Sequence, residues 1–323
     1  MKKKIIITGG LGYIGIELAK VLSKKYSIVL CDINIFQTKI NKISKKIKIL
    51  LKDFRDLNTS DLKNVYSVIH LASISNDPSV LLDPKISWEV NVLGTFQLLN
   101  ICKKAKIKKF IFASSGSVYG VKKEKKVTED LDLVPISEYN KTKMIGERVI
   151  MSFNKYFTTS IIRPATVCGY SEALRLDVSV NMLTFQALHK KKITVFGGKQ
   201  YRPNIHIKDM IRLYSHFLKK NINGIFNAGF ENLSINHIVD RIKQKVKKKI
   251  IITKLKTNDI RSYRLSSKKL EKVGFKPKYN VSDAIEELTQ LYNQNKIKNL
   301  PKFYRVNFLK NKINKVFKKS NNK

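Results

Sequence analysis

The spacing of apolar and polar positions changes repeatedly along this chain, and each change predicts an element. Residues 4–8 centre on a short, unbroken apolar run, Ile5–Ile7, the pattern of a strand buried on both faces. Similar runs predict strands at 27–31, 47–51, 65–71, 109–114 and 159–163, the last stopped by Pro164. Between them, helical spacing predicts helices at 12–23, from Pro84 to about Ala105, and at 136–156. This alternation argues for an α/β fold, a parallel sheet with crossover helices. Past Pro164 the pattern loosens: helices are expected at 178–189, 207–219, 234–246 and 281–294, and short strands at 193–196 and 224–228.

The 323 residues suffice for a large α/β core and a smaller C-terminal lobe. The expected division is 1–164, rejoined by 204–228, as one domain, 165–203 with 229–295 as a second lobe, and 296–323 as a basic tail. No stretch long enough to cross a bilayer lacks charges, and the apolar run after the basic N-terminus is too short for a signal peptide. A cytoplasmic protein is expected. Cys31, Cys102 and Cys168 lie far apart, and the histidines show no metal-binding spacing, so neither a disulfide framework nor a metal site is expected. The 64 Lys and Arg against 24 Asp and Glu give a formal charge of +40. The excess is spread along the chain and mostly lysine, with no basic stripe interleaved with stacking aromatics, so it is read as compositional bias and not nucleic-acid binding. It still favours anionic ligands.

Thr8-Gly9-Gly10-Leu11-Gly12-Tyr13-Ile14-Gly15 places three spaced glycines between a predicted strand and a predicted helix. Glycine is needed there for a tight turn, for close approach to a pyrophosphate and for close helix–strand packing; the helix N-terminus then offers N–H groups to the phosphates. Asp32 ends the second strand, where an acid can bond ribose hydroxyls and disfavour the extra phosphate of NADP. The expected cofactor is therefore NAD, in a Rossmann-type doubly wound sheet with helices on both faces. Asp53 ends the third strand, where it could hold the adenine amino group; a loop or cap role is the alternative.

Ser114-Ser115-Gly116-Ser117 follows the fifth strand, at the edge where such sheets bind ligands. Tyr139 and Lys143 are four apart and share one helix face. A lysine beside a tyrosine, with oxidised nicotinamide nearby, stabilises the phenolate, which can take a proton from a sugar hydroxyl.

These motifs, with His70–Ser73, Asn91–Thr95, Arg163–Pro164, Arg202–Asp209 and Gly274–Pro277, resemble those of the extended short-chain dehydrogenases/reductases, in particular the NAD-dependent nucleotide-sugar epimerase/dehydratase family. The resemblance covers roughly residues 2–296. It implies Tyr139 as acid/base, Lys143 as its partner and as a ligand of the nicotinamide ribose, and Ser115 as the catalytic hydroxyl. It implies a cofactor wall of Gly9, Gly12, Tyr13, Ile14, Gly15, Asp32, Asp53, Phe54, Leu71, Ala72, Ser73 and Asn91. It assigns Ser117, Thr166, Asn181, Val195, Arg202 and Arg261 to the nucleotide sugar, the two arginines gripping the diphosphate.

Two departures from the family pattern narrow the activity. The dehydratases carry an Asp-Glu pair where this chain has Gly116 and Ser117, and Thr166 stands where 4-epimerases often have Asn. The resemblance thus implies epimerisation at C4 through a 4-keto sugar, or alternatively a net 4-dehydrogenase or 4-ketoreductase. A non-catalytic NAD-bound or RNA-binding protein is a third reading, motivated only by the charge. The family implies a homodimer. In the tail, Val306, Leu309, Ile313, Val316 and Phe317 fall at helical spacing among lysines. Such a helix can lie on an anionic membrane, but packing on its own subunit or a neighbour is the favoured expectation.

Overall fold

A computed structural model describes residues 2–40, 43–257, 262–310 and 312–313. The chain begins with β1 (Lys4–Thr8), α1 (Gly15–Leu22), β2 (Ser27–Asp32), β3 (Ile47–Leu51) and β4 (Val65–His70). A short α2 (Asp77–Val80) precedes α3 (Pro84–Trp88), a π-helical turn at Glu89–Leu93 and α4 (Gly94–Lys104), which run on as one helix. β5 (Lys109–Ala113), α5 (Glu138–Met151) and β6 (Thr158–Pro164) follow. Then come β7 (Thr166–Cys168), α6 (Ser179–Lys190), β8 (Lys192–Phe196), β9 (Tyr201–His206), α7 (Ile207–Lys219) and β10 (Gly224–Ala228). The chain continues with β11 (Glu231–Ser234), α8 (Ile235–Val246), β12 (Ile251–Leu255), α9 (Lys268–Lys272), α10 (Val281–Asn293) and α11 (Arg305–Lys310).

Seven strands form one parallel sheet in the order β10-β6-β5-β4-β1-β2-β3. The apolar run of β1 explains its central place. Ile5 and Ile7 pack into the core on one face, Ile6 into the core on the other, and all three are fully buried. From β1 the chain fills one side of the sheet with β2 and β3, then crosses to β4 on the other side. That reversal opens a crevice beyond the carboxyl ends of the strands, where doubly wound sheets bind ligands.

Local chemistry sets the helix starts. Ser137 accepts from the Asn140 N–H at 3.2 Å and caps α5, so this helix begins at Glu138 and not at 136. α1 begins at Gly15 because Gly9–Ile14 are used in the turn, where the Gly12 N–H donates to the Gly9 carbonyl at 3.1 Å. Asp83 caps the helix at Pro84 through the Ile86 N–H at 3.0 Å.

The second half holds strands that the pattern does not predict, β7, β9, β11 and β12. β11, β9 and β7 form a three-stranded sheet, and β12 pairs with β8, the strand expected at 193–196. Pro203 inside β9 argues against a central strand. It is tolerated because β7 pairs only with Asn204–His206, so the pairing starts after the proline. α6, α8 and α10 close around Leu183, Ile193, Ile238 and Ile285 in a separate apolar core.

The segment from 296 is not a detached tail as far as residue 313. Ile297, Phe303, Leu309 and Ile313 are buried, and the Leu176 N–H donates to the Phe303 carbonyl at 2.9 Å. Leu309 and Ile313 thus face the chain's own core, not an open apolar face, while Val316 and Phe317 lie outside the described residues. No described helix is long and apolar enough to cross a membrane.

Candidate active site

The crevice is a cavity of about 570 Å³, well within the size of small-ligand sites. Its floor is the turn after β1. Gly9 sits at φ +68°, and a Cβ there would lie 2.6 Å from the Ala72 nitrogen; one at Gly15 would lie 2.6 Å from the Gly9 carbonyl oxygen. Only glycine lets these backbones approach so closely. Gly9, Gly12, Tyr13, Ile14 and Gly15 all line the cavity, and no side chain caps the start of α1. A ligand phosphate can take those N–H groups.

Asp32, on the same wall, accepts the Leu11 N–H at 3.0 Å and the Asn34 N–H at 2.7 Å. Burial pushes its carboxyl above the usual range, and the two N–H bonds oppose that. Asp53 and Phe54 also line the cavity. The Asp53 carboxylate caps the turn at Phe54–Asp56 through the Arg55 N–H and binds the Arg55 guanidinium at 2.8 and 3.1 Å. The cap role open at the sequence level is therefore occupied, by a residue already charge-paired.

Leu71, Ala72 and Ser73, beyond β4, line the cavity. Asn91 does not, in contrast to the expectation. It is buried in the π-helical turn, where its amide bonds both the N–H and the carbonyl of Ile74 at 2.9 and 3.0 Å and reaches Thr142 at 3.2 Å. It holds the wall from behind.

Ser115, Tyr139 and Lys143 meet on the opposite wall. The Lys143 ammonium donates to the Ala113 carbonyl at 2.8 Å and lies 4.8 Å over the Phe112 ring and 5.9 Å from the Tyr139 ring. Burial pulls Lys143 down to about 7, opposed by Glu147. Burial pushes the Tyr139 phenol up to about 12, while Arg175 and a hydrogen bond with Ser115 favour the phenolate. In the protein alone, burial therefore outweighs the lysine effect expected from spacing. Behind the pair, Glu147 grips Arg163 through bonds of 2.9 and 2.7 Å and accepts from the Ser114 hydroxyl. This buried network fixes one turn of α5 against β5 and β6.

Ser117 bonds Ser115 at 2.7 Å and, with Thr166 and Arg202, lines the cavity. Arg202 donates to the Tyr201 carbonyl at 3.1 Å. Asn181 and Val195 stand off the cavity wall. Asn181 is fully buried and ties Gly169, the Arg175 carbonyl and the Tyr13 hydroxyl together; Val195 points from β8 into the core of the second half. Arg261 lies outside the described residues.

Several wall residues are not predicted from the sequence: Asp77, Arg175, Asp177 and Arg305. Arg175 and Asp177 form a two-bond ion pair, each bond 2.9 Å. An Arg-x-Asp spacing just past a strand end was the available signal for that pair. Arg305 arrives from the far end of the chain and carried none.

A cradle that any Cβ would fill, an uncapped helix start and an acid at the end of β2 together fit NAD. Gly9, Gly12, Ile14 and Gly15 would hold its diphosphate, and Asp32 its adenosine ribose. Comparison with known proteins agrees. A model of the NAD dependent epimerase/dehydratase family matches residues 5–229. A putative UDP-glucose 4-epimerase of Methanocaldococcus jannaschii is 28% identical over 303 residues, covering 90% of this chain and 99% of the relative. The structure of a UDP-glucuronic acid 4-epimerase from Bacillus cereus, in complex with UDP-glucuronic acid and NAD, is 29% identical with a TM-score of 0.81, covering 90% of this chain and 99% of that one. An NAD-dependent NDP-hexosamine 5,6-dehydratase involved in tunicamycin biosynthesis, 24% identical with a TM-score of 0.82 over 91% and 98% of the two chains, shares the fold. With the glycine cradle, the acid after β2 and the family model all in agreement, this chain belongs to the NAD-dependent epimerase/dehydratase family and is an NAD-dependent enzyme of it.

Proposed function

We propose that this chain is a nucleotide-sugar 4-epimerase that works through a transient 4-keto sugar. The observation that carries the reading is the meeting of Ser115, Tyr139 and Lys143 on one wall of the cavity whose floor is the glycine turn. NAD, when bound, supplies a hydride acceptor and donor at the sugar carbon. The Tyr139 oxygen takes the proton of the sugar 4-hydroxyl and later returns it. Ser115 bonds the same hydroxyl and keeps it aimed at Tyr139. Lys143, anchored on the Ala113 carbonyl, is placed to stabilise the ionised phenol in its protonated form, which burial disfavours in the cofactor-free protein.

Thr166, Ser117 and Arg202 hold the sugar and its diphosphate, joined by Arg261 from the second lobe. The segments 165–203 and 229–295 act as that lobe, and 1–164 with 204–228 as the cofactor domain. Two features support epimerisation over elimination of water. Two relatives with near-complete coverage carry 4-epimerase names, and Gly116 and Ser117 offer no carboxyl next to Ser115. Leu93 and Phe96, about half exposed on the helix that carries Asn91, suit a homodimer contact.

The test is product analysis by NMR with purified enzyme and UDP-, dTDP- and GDP-hexoses, with absorbance at 340 nm followed in the same tube. A C4 stereoisomer with no net NADH is the expected result. Stoichiometric NADH with a keto product would make the chain a net dehydrogenase, and a dehydrated product would overturn the reading.

A further inference from the structure

Arg305 is the feature that the proposed chemistry leaves unused. It is 4% exposed, yet it lines the cavity. Its guanidinium donates to two main-chain carbonyls, Lys302 at 3.2 Å and Ala173 at 2.8 Å. Among the described residues it forms no ion pair. Its neighbour Arg175 is already neutralised by Asp177. Its hydrogen bonds go only to neutral groups, and burial together with nearby Arg175 pulls Arg305 down to about 9, opposed only in part by the charges of Asp177 and Asp32. Such a site is completed by an anion.

Position identifies the anion. Arg305 stacks 3.7 Å from the centre of the Phe36 ring, in the loop that follows Asp32. That loop is tied to the glycine turn, the Thr38 hydroxyl donating to the Leu11 carbonyl at 2.8 Å, so Arg305 stands at the cofactor end of the crevice, where adenosine ribose and diphosphate would meet. The segment carrying Arg305 is strapped down on both sides of it. Phe303, Leu309 and Ile313 are buried, Lys302 donates to the Gln37 carbonyl at 2.8 Å, and the rings of Phe36 and Phe308 lie 5.9 Å apart. This strap lies beyond residue 229, where the family match ends.

We infer that residues 297–310 are a built-in strap over the cofactor site, and that Arg305 binds the diphosphate of NAD opposite the start of α1. The inference rests on NAD dependence but not on the sugar reaction. The glycine turn then holds one side of the diphosphate with backbone N–H groups, and the strap holds the other with a guanidinium, whose planar fork suits two phosphate oxygens.

The test uses full-length protein stripped of nucleotide, with NAD and UDP as separate probes. Arg305→Met keeps the apolar stem on Phe36 and removes the charge. It is expected to raise the Kd for NAD by roughly 10- to 100-fold, the loss of one charge-assisted hydrogen-bonding group, and to flatten the salt dependence of NAD binding. Arg305→Lys should recover part of both. UDP binding should stay within about threefold of wild type, since the charge lies outside the sugar-nucleotide end. An unchanged NAD Kd and salt slope in a folded Arg305→Met protein would overturn the assignment, as would weakened UDP binding with NAD unaffected. NAD titration needs no turnover, so failure of the epimerase reading would leave this result standing, and the reverse also holds.

Discussion

At the scale of single residues, burial governs the reacting pair. The Tyr139 phenol is pushed up to about 12 and Lys143 down to about 7. Tyr139→Phe should lower kcat by about 10²- to 10⁴-fold, the usual contribution of a positioned acid/base, with the Kd for NAD little changed. Full activity in a steady-state assay of that variant would remove Tyr139 from the mechanism. Lys143 also links stability to pH. Its ordinary value is 10.5, so between pH 7 and 10.5 the unfolded chain binds a proton that the native state lacks. Stability then rises with pH, by up to about 1.4 kcal/mol per unit. In denaturation of cofactor-free protein, wild type should gain on Lys143→Met from pH 7.5 to 9.5; parallel curves would contradict the burial account. The spacing of Tyr139 and Lys143 shows in the sequence because a helix brings positions four apart together. Their desolvation does not, because it comes from Phe112, Ala113 and the loops of other elements.

Elements that follow one period were legible, and elements held by tertiary contacts were not. The five sheet strands up to residue 113 were within one residue of their predicted limits, since each is an apolar run bounded by turn or charged residues. β9 was hidden by Pro203, and β7 by its length of three residues. The predicted helix from Pro84 exists, but the π-helical turn at Glu89–Leu93 inside it has no sequence mark. That turn sets Asn91 against Ile74, and so decides that Asn91 braces the wall from behind. Asn91→Leu would strand the N–H and carbonyl of Ile74 and should cost about 1–3 kcal/mol in urea unfolding. A stability within about 0.5 kcal/mol of wild type would show the bracket to be dispensable. Asn181 has the same character: the family pattern marked its position, while its four hydrogen bonds mark it as a brace between the turn after β7 and Tyr13.

For the whole molecule, the cofactor half of the site was more legible than the sugar half. The glycine turn and Asp32 are close in sequence and belong to one repeating unit. The sugar end is assembled from distant segments, and Arg305 is 273 residues from the Asp32 whose end of the crevice it reaches. The +40 charge acts at this scale too. It should draw dianionic nucleotide sugars toward the crevice, so KM should rise with ionic strength between 20 and 300 mM salt (about a threefold change in Debye length or more), while kcat changes little. A KM that ignores salt would mean the surplus lysines lie too far from the mouth to matter.

The central claim is that the sugar is oxidised and reduced at C4 within one closed cycle. Proton NMR of UDP-glucose, UDP-glucuronate and UDP-N-acetylglucosamine incubated with the enzyme in deuterated water tests it most directly. The account predicts a C4 epimer of at least one sugar that keeps its original C4 hydrogen, because a hydride lifted to and returned from NAD never mixes with solvent. Deuterium at C4, a product that has lost water, or a released keto sugar with equimolar NADH would contradict it.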